Sequence, residues 1–288
     1  MSTKPQDGSS QDNQNAAAPG RGRRKAVAVV LAGLGLLGLL AARPWVEQLA
    51  PTRLQSAGEH PTPEPLPPPE PALALLDGVV FQDEQGRSTL RLRHVADLVV
   101  SSGAIVAADG IVVLPDELPF TVRVPVGRYP VILSLAESDT GDVRVAFARI
   151  QFDQGAPVRW ELALRPGQDS TKLGRDEIFG YGVDSGTGSF LDLAALRQLA
   201  GHPDYADRII ADLEAHEVFS WSWAEMVLDE ASGANAVVFS SGLGDGVYAS
   251  YLGYDTSGQV VALVTDFGLL DRASLATTGV QTSISTRI

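Results

Sequence analysis

Two glycine-rich acidic segments carry the residues of this 288-residue chain best suited to chemistry: GYGVDSGTGSFLD at 180–192 and SSGLGDGVYASYLGYDTSGQVVALVTDF at 240–267. In the first, Asp184 and Asp192 flank a turn rich in serine, threonine and carbonyl oxygens, the hard donors that calcium prefers. The ligand order of an EF-hand is missing, since there is no DxDxDG run and no closing glutamate. The same residues serve as a tight turn at Gly186 and Gly188 followed by a helix capped by Asp192. In the second segment Gly242, Gly244 and Gly246 surround Asp245 and permit positive φ, and Tyr248, Tyr251 and Tyr254 follow. That loop would place Asp245, Tyr248 and Tyr254 on a pocket floor, with Asp266 closing the segment; a plain turn between strands is the simpler account of it. The candidate ligand-binding residues are therefore Asp184, Asp192, Asp245, Tyr248, Tyr254 and Asp266, with Asp184 and Asp192 as candidate calcium ligands.

Other chemistries find less to work with. No GxSxG elbow, HExxH helix, P-loop or SxxK occurs, and GTGSFL lacks the third glycine of a dinucleotide loop. His60, His94, His202 and His216 have no metal-ligand spacing. The chain has no cysteine, which removes disulfides, thiolate nucleophiles and cysteine-ligated zinc. Paired carboxylates for hydrolysis stay open, because the separation that matters is spatial. Trp221 and Trp223 would suit an aromatic groove or ordinary packing.

The elements that must position these residues follow from pattern. Residues 1–25 are polar and low in apolar content and read as a disordered tail ending in Arg21, Arg23, Arg24 and Lys25. Residues 26–42, AVAVVLAGLGLLGLLAA, are uncharged and are followed by Arg43 and Trp45, a positive-inside pattern with an interfacial aromatic. As a helix they span about 25 Å, slightly less than a ~30 Å hydrocarbon core, which snorkelling by Lys25 and Arg43 covers. A cleaved signal peptide fits less well, because Leu39 and Leu40 stand where small residues are needed. The expectation is a single-pass anchor with the N-terminus cytoplasmic and the remainder outside. Residues 43–71 include PTPEPLPPPEP and read as a semi-rigid polyproline spacer without regular hydrogen bonding.

From 72 to 272 the pattern predicts one β-rich domain. Short alternating or β-branched runs are separated by Gly, Pro and Asp, and a hairpin is expected at 138–142. Arg149, Gln151, Arg159 and Glu161 should face outward by their period of two. Helices are expected over 191–200 and 203–217, the second with Ala206, Ile209, Ile210 and Leu213 on one face. The fold class is α+β: a mainly antiparallel, sandwich-like sheet assembly with two short helices inserted, plus the N-terminal transmembrane helix. Residues 273–288 form a polar tail.

Formal charge is −13 overall. The segment 1–25 holds five basic and two acidic residues, a net +3, so the remainder is −13 − 3 = −16. Such a domain repels phosphate backbones, which argues against nucleic acid, and suits cations or basic surfaces.

VRVPVGRYPVILSLAE, VRVAFARIQF, VRWELALRPGQD, FGYGVDSGTGSFLD and FSSGLGDGVYASYLGYDTSGQVVALVTDFGLL resemble, in that order, the bacterial family of domain of unknown function 4241. The likeness runs from about 120 to 270. It implies no activity, and places Gly182, Asp184, Gly186, Gly188, Asp192, Ser241, Gly242, Gly244, Asp245, Gly246, Tyr248, Asp255 and Asp266 on the family's motifs. Leu243 stands where the family often has tryptophan. Two functions follow as expectations: a membrane-anchored, non-catalytic binding domain of the cell envelope, meeting an envelope protein, basic surface or cation; or a cation-dependent hydrolase using aspartates of the two loops.

Overall fold

Runs of β-branched and aromatic residues punctuated by Gly, Pro and Asp become fourteen strands in a computed structural model that describes residues 52–53, 71–83, 86–174 and 177–270. All of these lie in the compact unit Leu49–Ile288. The anchor expected at 26–42 and the tail at 273–288 fall outside the described residues. Among the described residues no helix is long and apolar enough to cross a membrane.

In chain order the strands are β1 (Thr52–Arg53), β2 (Val80–Asp83), β3 (Gly86–Val100), β4 (Ile105–Asp109), β5 (Gly127–Ser138), β6 (Val143–Gln151) and β7 (Arg159–Leu162). Then come β8 (Glu177–Ile178), β9 (Tyr181–Val183), β10 (Thr187–Asp192), β11 (Trp223–Asp229), β12 (Ala234–Ser240), β13 (Gly246–Tyr254) and β14 (Val260–Asp266). A large sheet runs β2-β3-β5-β6-β14-β13-β7, with β9 also pairing β13, and a four-stranded sheet runs β11-β12-β10-β4. Every pairing is antiparallel. The expected hairpin at 138–142 joins β5 to β6.

The two sheets pack face to face. Ile105, Ala107, Phe190, Val237 and Phe239 of the small sheet meet Val131, Leu133, Ile150, Leu252 and Leu263 of the large one. The other face of the small sheet is covered by α1 (Leu193–Leu196) and α2 (Tyr205–Ala215), whose Tyr205, Ile209 and Leu213 pack against Val106, Leu191 and Met226. A sheet covered on both sides needs apolar residues at every position, which is why IVAAD of β4 is buried throughout. Asn235, fully buried, stitches the sheets. Its amide donates to Asp97 O at 2.8 Å and to Glu225 at 2.7 Å, and its oxygen accepts from Val99 N at 2.9 Å.

Several expectations change. The helix over 191–200 is shorter, because Leu191 and Asp192 complete β10, and only Leu193–Leu196 is α-helical. Gly188 is a strand residue rather than part of the turn: a Cβ there would lie 2.7 Å from the Tyr181 hydroxyl. Arg149 lies on the outer face of the large sheet, opposite the inward Ala148 and Ile150, but is only 6% exposed, whereas Arg159 and Glu161 are exposed and paired with each other. Within the proline stretch, the non-proline pair Thr52–Arg53 forms β1 against Glu177–Ile178, so that part of it is hydrogen-bonded.

Candidate functional site

The site is built around a residue that the sequence did not single out. β4 ends at Asp109, which is 7% exposed. Its Oδ1 accepts from Ile111 N at 2.9 Å, Val112 N at 2.8 Å and Ser185 Oγ at 2.6 Å. Its Oδ2 accepts from Asp184 N at 2.8 Å and Ser185 N at 2.9 Å. These bonds satisfy a buried carboxylate and fasten the loop after β4 to the turn before β10.

The two glycine segments meet through that turn. Gly186, at φ +69°, donates its N–H to Asp245 Oδ1 at 3.1 Å, and its carbonyl accepts from Ser241 N at 3.0 Å. The 241–245 loop is braced from within: Gly244 O accepts from Ser241 Oγ at 2.9 Å and from the Tyr248 hydroxyl at 2.6 Å. The Tyr248 ring packs edge-on against Phe267 at 4.9 Å. Desolvation raises the Tyr248 pKa above its ordinary value, which keeps the phenol a donor. Three loops therefore stand side by side as a rim. Asp184 and Asp245 are exposed on it, with Leu243 at 73% and Val112 at 56% exposure.

The other predicted residues lie elsewhere. Asp192 sits at the far end of β10, about 17 Å of strand from the Asp184 turn. It is fully buried and caps α1 through Ala194 N at 2.9 Å. Its oxygens also accept from Ser101 Oγ, Ser102 N and Ser102 Oγ. Asp184 and Asp192 thus do not face one ion, and among the described residues no three His, Cys, Asp or Glu side chains group to hold a metal. Tyr254 lies at the opposite end of β13 from Tyr248, its ring 4.2 Å beneath the Arg159 guanidinium. Asp266 closes a turn through Gly268 N at 2.8 Å.

A second buried charge backs the rim. β4 is an edge strand, and its outward carbonyls are capped individually: Ile105 O by Phe120 N at 2.9 Å and Ala107 O by the Arg165 guanidinium. Arg165 also pairs with Glu117 at 3.2 Å. Burial raises the Glu117 pKa despite that cation, with Asp116 and Asp109 adding to the effect. Beside Arg165 lies a crevice lined by Phe120, Gln168, Tyr181, Tyr248 and Ser250, too narrow to hold a water molecule. The buried Tyr181 hydroxyl lies near the Ser250–Thr265 pair and has no partner of good geometry, and desolvation pushes its pKa up. These groups build the wall behind the loops. The only signals for them in sequence were Asp-Gly at a strand end and an arginine just after VRWELAL.

Together these features define a class: a two-sheet antiparallel domain whose buried aspartate and arginine lock loops into an acidic and apolar rim. The chain belongs to the family described as "Protein of unknown function (DUF4241)", whose sequence model matches residues 98–265. No curated protein and no solved structure matches it.

Proposed function

We propose that this is a non-catalytic interaction domain, anchored in a membrane by residues 26–42 and displayed outside the cytoplasm, whose rim meets an envelope protein or another basic surface. The observation that carries the reading is the locked junction of the two glycine loops. Ordering an exposed loop costs conformational entropy, and here the backbone of Asp184, Ser185, Gly186 and Ser241 is held by side-chain and backbone bonds while Asp184, Asp245 and Leu243 point outward. A preorganised apolar side chain flanked by like charges suits a protein surface with an apolar recess and basic neighbours. A cation-dependent hydrolase would need acidic oxygens left free for the ion, and those of Asp192 are filled.

Two experiments test this. Alkaline phosphatase fused after residue 72 should be active and fused after residue 25 inactive; the reverse pattern would overturn the topology. On envelope extracts, the wild-type chain should retain proteins that a folded Leu243→Asp, Asp184→Lys, Asp245→Lys variant loses. Equal retention, or turnover of an ester, glycoside or phosphoester panel that disappears in Asp184→Ala, would sink the reading.

A further inference from the structure

The outer face of the large sheet holds a charge with no described partner. Strand register sets Leu162, Tyr251, Val264, Arg149 and Ile132 in one row across β7, β13, β14, β6 and β5. Trp160, Gly253, Ala262 and Gln151 form the next row on the same face. Arg149 is 6% exposed and its Nε has no hydrogen-bond partner. Burial lowers its pKa to about 10, so it stays cationic at neutral pH. A buried cation without a counter-charge is costly, and a carboxylate is its natural complement. In the next row, on β7 and three strands from Arg149, the Trp160 ring lies across Gly253, where an added Cβ would come within 2.9 Å of it. A flat aromatic and an arginine set along one sheet face, the ring a few strands from the charge, are the kind of surface that receives an acidic polyproline helix.

The chain carries such a helix-former, fixed at both ends. Thr52–Arg53 pairs with Glu177–Ile178. At the other end, the turn Pro71–Leu75 packs Leu73 and Ala74 against Phe147 and Val264, the latter directly opposite Arg149. Ser134 Oγ donates to Ala74 O at 3.3 Å from the same face. Between these points, residues 54–70 contain six prolines and three acids, Glu59, Glu64 and Glu70. At about 3.1 Å per residue they reach roughly 50 Å, about twice the width of five strands spaced at ~4.8 Å.

We propose that the acidic proline segment, residues 61–71, docks on the outer face of the large sheet, with prolines against Trp160 and Tyr251 and the carboxylate of Glu64 or Glu70 on Arg149. This goes beyond the interaction reading and stands without it: the segment becomes part of the domain, and only the stretch ahead of β1 is left as tether.

A thermal double-mutant cycle on the full chain tests it. Glu64→Gln with Glu70→Gln should lower the melting temperature by about 3 °C, and the same pair should cost nothing further in an Arg149→Met background. Equal melting of the acid variant and wild type, or identical losses in both backgrounds, would overturn the proposal. A second measurement uses the absence of cysteine. Mild oxidation of a Leu66→Cys, Gln151→Cys variant should give a cross-link within one chain that Leu66→Cys, Thr140→Cys does not. A cross-link between two chains, seen as a doubled mass, assigns the face to a second copy and overturns it, as does none at all.

Discussion

The two ends of β10 each bury an aspartate and use it differently. At one end, Asp109 of the neighbouring strand gathers backbone N–H groups from two loops and leaves Asp184 and Asp245 facing solvent. At the other, Asp192 gathers a helix N-terminus and two serines, and nothing acidic is turned outward by it. Both carboxylates act as acceptors that replace missing backbone pairing. Acidity in the glycine motifs is thus of two kinds, one that builds loops and one that decorates them, and only the second is available to a partner.

The contrast can be broken by mutation. Asp109→Ala strands buried donors on two loops and should cost about 4 kcal/mol, read by urea unfolding; a loss below ~1 kcal/mol would mean the rim is held by something else. Asp192→Ala removes a cap and the serine bonds and should cost about 3 kcal/mol in the same assay, leaving rim binding unchanged. Glu117 sharpens the comparison through pH. Its folded pKa is raised by burial, so the stability it contributes is present in acid and lost as pH rises through the carboxylate range. The wild-type melting temperature should therefore fall relative to Glu117→Gln as pH rises through and above the ordinary carboxylate range, and parallel curves would refute that. Asp184→Asn, which changes only an outward side chain, should shift stability by no more than about 0.5 kcal/mol.

What the sequence made legible follows the range of each interaction. Asp192 as a cap could be read because its N–H partner, Ala194, is two residues away. The hairpin at 138–142 could be read from local turn chemistry. Asp109 could not, since Asp184 and Ser185 lie 75 and 76 positions downstream. The outer face of Arg149 could be read from period two, but its burial could not, because alternation assigns a face and not how exposed that face is. The family resemblance identified the motif positions, yet Gly188 serves to admit the Tyr181 hydroxyl rather than to turn the chain. That role depends on β9, paired with β13, bringing Tyr181 against β10, which no local pattern encodes.

The central claim is that Asp184 and Asp245 sit on a rim locked by Asp109, and Asp192 caps a helix, instead of any of them holding an ion. Thermal melting of the full chain with millimolar calcium against chelator tests it most directly, since a ligand bound only by the native state raises the melting temperature. The account predicts coincident curves for wild type and Asp184→Ala. A stabilisation of several degrees by calcium that Asp184→Ala abolishes would contradict it.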